Sequence, residues 1–129
     1  MTITDSPAAA LSISDVAADT GLTTSTLRYY EQAGLLRGQI DRASSSHRRY
    51  TDDDVRWVVF ITKLRSTGMP IRDIRRYTEL AREGDHTTPA RLALLVSHRE
   101  RVQAQLADMQ RSLETIDFKI ATYERFTTR

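Results

Sequence analysis

Residues 23–36 read TTSTLRYYEQAGLL and residues 47–55 read HRRYTDDDV. The first run places Arg28, Tyr29 and Tyr30 on a short helix, and the second places Arg48, Arg49 and Tyr50 on the returning arm of an expected hairpin. Two basic and aromatic elements this close in sequence are able to grip one phosphate backbone together. Thr23 is placed to cap the helix, which should end near Gln32, and Gly34 then releases the chain into Leu35 and Leu36.

Upstream, Ser12 and Asp15 have N-cap spacing, Val16 and Ala17 begin an apolar face, and Gly21 suits the left-handed position that ends a helix. Ala17, Gly21 and Leu27 supply what a tight helix-turn-helix needs: a small residue at the crossing, a glycine in the turn and an apolar anchor on the second helix. Many unrelated helix pairs meet that pattern, so it does not stand alone. Downstream, RGQIDRASSSHRRY holds two short potential strands around an Asp-Arg-Ala-Ser-Ser-Ser tip. It reads as a β-hairpin wing or as a plain flexible loop. Thr51 and Asp54 form a further cap pair at the positive end of a third helix, whose stripe runs through Val55, Val58, Val59, Ile61, Thr62 and Leu64. Gly68 closes that helix, and Pro70 opens a fourth whose Ile71, Ile74, Tyr77, Leu80 and Ala81 follow helical spacing.

Gly84 and Asp85 break the chain, and Thr88 with Pro89 restarts it as a cap and first-turn proline. Leu92, Leu95, Arg99, Val102, Leu106 and Met109, then Leu113, Ile116, Ile120 and Tyr123, alternate by three and four. The result is a heptad seam broken only by Arg99. A helix over residues 88–124 spans roughly 54 Å, more than a small bundle covers. The seam therefore predicts a coiled coil with a second copy of the chain, the alternative being a helix folded back over helices three and four. The expected organisation is mainly α: a flexible tail over 1–11, a winged helix-turn-helix DNA-binding domain with a small hairpin wing over 12–84, a dimerisation coiled-coil helix over 88–124 and a tail over 125–129.

At 129 residues there is little room for a separate catalytic domain, and 40% hydrophobic with 28% charged residues describes a chain that folds. The net charge of +2 says little about partners. Within residues 22–50, however, five arginines face only Glu31 and Asp41, a patch suited to an anion. The absence of cysteine removes disulfides, thiolate metal sites and thiol redox sensing. His47, His86 and His98 lack metal spacing, so neither a metal nor another cofactor is expected. The N-terminal stretch has no signal-peptide pattern and no run approaches the roughly 18 apolar residues of a membrane span, so a cytoplasmic location is the default and no membrane partner is expected.

Two winged readers on a dimerisation helix suit a two-fold-related site on double-stranded DNA. Thr24 and Ser25 offer short donors and acceptors to base edges, and Arg28, one turn further, reaches a guanine or a phosphate. Tyr29 and Tyr30 point about 100° apart, so one faces the DNA backbone while the other packs inward. Tyr29 is taken for the backbone. Arg48 and Arg49 alternate on a strand; Arg48 is taken for the phosphate, Arg49 being otherwise a solvated wing residue. Tyr50 reads either as a contact or as a packing residue that seats the wing.

The order TLRYYEQAGLL, RRYTDDDV, FITKLRSTGMPIRDI and a long last helix resembles the MerR family of bacterial transcription regulators, from about Leu11 to Tyr123. The resemblance implies a homodimer held by an antiparallel coiled coil, each winged reader taking half of a pseudo-palindromic promoter operator. It further implies that the dimer bends and untwists an overlong promoter spacer so that RNA polymerase engages both promoter elements. By the same resemblance Arg28, Tyr29, Arg48 and Arg65 match backbone-contacting positions, Arg65 beside the STGMP turn of a second wing. Metal-responsive members carry cysteines that this chain lacks. Drug-responsive members append a large ligand domain, which is not expected here. Within the family the chain is most similar to the short aldehyde- or thiol-stress regulators, yet Lys63 stands where they often have a sensing cysteine.

Trp57, Phe60 and Tyr77, with Phe118, Tyr123 and Phe126 from the partner subunit, read either as core or as the lining of an effector pocket. An architectural or excisionase-like accessory protein shares the reader but rarely needs so long a coil. An enzyme is a poor reading, because no paired carboxylates, nucleophile with base or phosphate-cradling loop fall on a common face.

Overall fold

Ser12 starts the first helix in the computed structural model, which describes residues 11–38, 41–42 and 48–128. Its hydroxyl accepts from the Asp15 amide while the Asp15 carboxylate accepts from the Ser12 amide, a reciprocal capping box. Helix α1 (Ile13–Thr20) ends at Gly21, whose φ of 76° is the left-handed conformation a side chain resists. Helix α2 (Thr24–Gln32) follows at once, capped by the Thr23 hydroxyl on the Thr26 amide. Gly34, also at φ 76°, turns the chain away from its end.

Strands β1 (Asp41–Arg42) and β2 (Arg48–Arg49) pair antiparallel, Asp41 opposite Arg49 and Arg42 opposite Arg48. Asp41 and Arg42, expected in the tip, therefore belong to a strand. His47 and the serines of the tip lie outside the described residues. Leu11, expected in the tail, exchanges two backbone hydrogen bonds with Tyr50, at 2.6 and 2.7 Å. This pairing ties the start of the first helix to the returning strand.

Thr51 and Asp54 repeat the capping box at helix α3 (Asp52–Ser66). Val58, Ile61 and Leu64 face the core as expected, but Val59 is 42% exposed, because it stands about 100° from Val58 around the helix. Helix α4 (Ile71–Glu83) begins after Pro70 and buries Ile74, Tyr77 and Leu80. A 3₁₀ turn, Asp85–Thr87, then runs straight into α5 (Thr88–Thr127). Thr88 has helical angles (φ −52°, ψ −44°), so it is inside the helix rather than its cap.

The chain divides into two compact units, residues 1–92 and 93–129. The first holds the apolar core: Val16, Leu27, Leu35, Tyr50, Val58, Ile61 and Ile74 are sealed from solvent. In the second, His98 is the one buried residue among those described. α5 has 40 residues and so a length of about 60 Å. Along it Leu106, Met109, Leu113, Ile116 and Ile120 leave 47–70% of their surface in water, as does Leu92 at its start, while Leu95 and Val102 are half-buried. Among the described residues no helix is long and apolar enough to cross a membrane.

Candidate nucleic-acid interface

On α2 a three-residue step separates inward from outward side chains. Leu27 and Tyr30 are buried; Ser25, Arg28 and Tyr29 are exposed, and Thr24 is half-buried. The opposite fates of the two neighbouring tyrosines follow from their angular separation. Tyr30 is fixed at its far end by a 2.9 Å hydrogen bond to the Thr62 hydroxyl. Thr62 spends its own proton on the Val58 carbonyl at 2.8 Å, so the Tyr30 hydroxyl is the donor to Thr62. The helix that carries the outward residues is thereby bolted to α3.

Arg65 joins them from the other element. Its guanidinium lies 5.3 Å from the Tyr29 ring centre and 5.8 Å from that of Tyr30, whose rings are tilted against each other at 6.3 Å. Such a contact stabilises by about 0.5–1 kcal/mol at an exposed site. Its larger consequence is placement: a cation from the end of α3 stands beside the exposed phenol of Tyr29. Arg49 is exposed on β2. The Arg48 side chain lies outside the described residues.

Tyr50 withdraws from the contact set. It is fully buried, so its side chain has no surface to offer DNA, and its backbone joins the Leu11 pairing instead. Of the expected pocket residues, Trp57 and Tyr77 stack at 5.7 Å, Phe60 leans on Tyr77 at 5.8 Å, and the Trp57 indole donates to the Leu35 carbonyl at 2.8 Å. Phe118 and Tyr123 belong to the second unit, both exposed, with Phe118 bordering an open groove beside Ala121 and Arg125 and Tyr123 under Lys119. A cavity of about 100 Å³ opens elsewhere, lined by Thr20, Leu22, Val59, Thr62 and Lys63. No group of acids and histidines able to hold a metal occurs among the described residues.

Two arginines that the sequence reading did not single out act on the segment leaving α2. Arg75 Nε donates to the Ala33 carbonyl at 2.8 Å; Arg82 Nε donates to Arg37 at 2.9 Å and its Nη2 to Leu36. Their seven-residue spacing, which puts both on one face of α4, was the available signal.

The family model described as MerR HTH family regulatory protein matches residues 11–80, and a second, described as MerR, DNA binding, matches residues 55–117. An uncharacterized HTH-type transcriptional regulator of Haemophilus influenzae is 35% identical over 105 residues, covering 81% of this chain and 77% of that one. AdhR of Bacillus subtilis, an HTH-type transcriptional regulator, is 40% identical over 92 residues, 71% of this chain and 65% of its own. Among solved structures, HiNmlR, a MerR family regulator lacking the sensor domain and bound to promoter DNA, superposes with a TM-score of 0.82 at 33% identity over 90% of this chain and 91% of that one. A MerR family regulator from Listeria monocytogenes gives 0.83 at 36% identity, over 88% and 86%. With matches on both the reader and the long helix, the chain belongs to the MerR family of DNA-binding transcriptional regulators and is not an enzyme.

Proposed function

We propose that the protein acts as a homodimer on a pseudo-palindromic promoter operator. In this reading it distorts an overlong spacer so that RNA polymerase engages both promoter elements. The observation that carries this reading is the coexistence of two unfinished surfaces. One is the exposed set Ser25, Arg28, Tyr29 and Arg65 on α2 and α3; the other is the uncovered apolar seam of α5. The first matches a phosphate backbone in charge and hydrogen-bonding capacity. The second is the kind of face that a second copy of the same helix covers with like residues.

Within that dimer Arg28, Tyr29 and Arg65 hold the backbone, Thr24 and Ser25 approach base edges, and the segment 41–50 serves as the wing, with Arg48 and Arg49 toward the flanking phosphates. The short antiparallel pairing of Asp41–Arg42 with Arg48–Arg49 supports the wing assignment. Leu92, Leu95, Val102, Leu106, Met109, Leu113, Ile116 and Ile120 form the dimer seam. The HiNmlR complex supports a promoter as the target, since that relative was solved on promoter DNA. The protein works in the cytoplasm, where the promoter is.

Footprinting on the DNA flanking its own gene tests the reading. We expect a protected, two-fold-related site lying between promoter elements separated by more than the usual spacer. Protection of a site with an ordinary spacer would reject distortion in favour of repression.

A further inference from the structure

We infer that Arg75 and Arg82 are positioning residues for operator reading: they hold the carbonyls of Ala33, Leu36 and Arg37 and so fix the direction in which α2 presents its outward face. The inference rests on α2 being the reading helix. It starts from how little α2 supplies for itself. The helix has nine residues, its N-terminal end is capped by a side chain, and its last turn contains no basic residue to meet the negative end of the helix dipole. Its C-terminal cap, Ala33, uses backbone bonds alone.

α4 supplies the missing charges. The Arg75 stem lies along Gly34, where an added Cβ would meet it at 3.8–3.9 Å, and its Nε reaches the Ala33 carbonyl at the helix end. Two turns later Arg82 spreads its fork over two successive carbonyls, Leu36 and Arg37. Between them the indole of Trp57 takes the Leu35 carbonyl, and the Arg37 guanidinium lies 5.3 Å over the same indole. Thr78 also approaches Leu35, at 3.4 Å, but its single proton goes to Ile74 at 2.9 Å. The exit of α2 is thus held chiefly by three side chains. A nine-residue helix is about 14 Å long, so a small rotation at one end moves Ser25 and Arg28 off their targets.

Arg75 and Arg82 donate to carbonyls of their own chain, and the tests below separate this role from a phosphate contact. Anisotropy titrations with the footprinted operator and with a scrambled duplex of equal length, across a range of salt, read the difference. Arg75→Gln with Arg82→Gln should weaken operator binding about tenfold, as lost charge-assisted bonds would. Scrambled-duplex binding should stay within about twofold of wild type, and the slope of log affinity against log salt should not change. A merely structural role would not alter the ratio of the two affinities. Arg82→Lys keeps the charge but spans only one carbonyl, so it should weaken operator binding as well; full operator affinity in this variant overturns the fork's role even if the double variant fails to fold. Equal losses on both duplexes, with the salt slope falling by about one per arginine, would make these phosphate contacts and overturn the proposal. Arg28→Ala, run alongside, isolates the underlying reading. Wild-type binding by Arg28→Ala overturns the reading helix and the proposal together, whereas its loss alongside intact binding by Arg75→Gln with Arg82→Gln overturns the positioning role alone.

Discussion

Residues 1–92 and 93–129 treat the same kind of side chain in opposite ways. Leu27, Leu35, Ile61 and Ile74 are sealed from solvent, whereas Leu106, Met109, Leu113 and Ile116 stand 47–70% exposed along one helix. Both units are helical and regular, so regularity does not tell a finished surface from an unfinished one. Burial does. The first unit packs most of its apolar residues among its own elements, and the second leaves them exposed in a periodic stripe along one helix.

The largest expected effect breaks the second unit. Leu106→Glu with Leu113→Glu puts charges into the middle of the seam, and sedimentation should then report monomers at concentrations where wild type is dimeric. If wild type is itself monomeric, the contrast between the units loses its explanation. Next comes a change in the first unit. Ile61→Ala should lower unfolding stability by about 2–5 kcal/mol in a denaturant titration, since the cavity it leaves is surrounded by packed side chains. Ile116→Ala, the same deletion on the exposed helix, should do nothing to the folding of residues 1–92 and act only on association.

How much of this was legible follows the same division. Helix boundaries in the first unit were readable because hydroxyls, acids and glycines mark them locally: Ser12 with Asp15, Gly21, Thr23, Thr51 with Asp54. The seam was readable because its period is sustained. What escaped was non-local. Leu11 looked like tail because nothing in its neighbourhood signals pairing with Tyr50, 39 positions away. Val59 looked like core because a continuous apolar run blurs the helical period. Arg75 and Arg82 looked like surface charge, since their acceptors are carbonyls more than 40 residues upstream. On α2 the outward placement of Arg28 and Tyr29 was accessible to pattern reasoning. Arg65 came only through family resemblance, because its meeting with Tyr29 is a tertiary contact.

A third effect, smaller than a core cavity, tests the outward face. Arg28→Ala should cost operator binding about 1–3 kcal/mol and reduce the salt slope by about one if the guanidinium meets a phosphate, with thermal unfolding unchanged. An unchanged slope with relaxed sequence preference would move Arg28 from the backbone to a base edge.

The smallest effect separates how two helices begin, α3 inside the packed unit and α5, which carries the exposed stripe. Thr51 is a true N-cap: its hydroxyl accepts from the Asp54 amide at 3.1 Å, and Asp54 returns a 2.9 Å contact to the Thr51 amide. Thr51→Ala should therefore cost about 1 kcal/mol of stability. Thr88 resembles it in sequence, a threonine at a helix start, but it already has helical angles and its hydroxyl donates back to the Asp85 carbonyl at 2.7 Å. This junction is fastened instead by the buried Thr87, whose hydroxyl contacts the Leu80 and Gly84 carbonyls and accepts from Arg91. Thr88→Ala should accordingly change the thermal midpoint less than Thr51→Ala does, and Thr87→Val more than Thr88→Ala. Equal losses at Thr51 and Thr88 would mean that α5 starts with a conventional cap in solution, and that the turn before it is an interruption rather than a continuation of the helix.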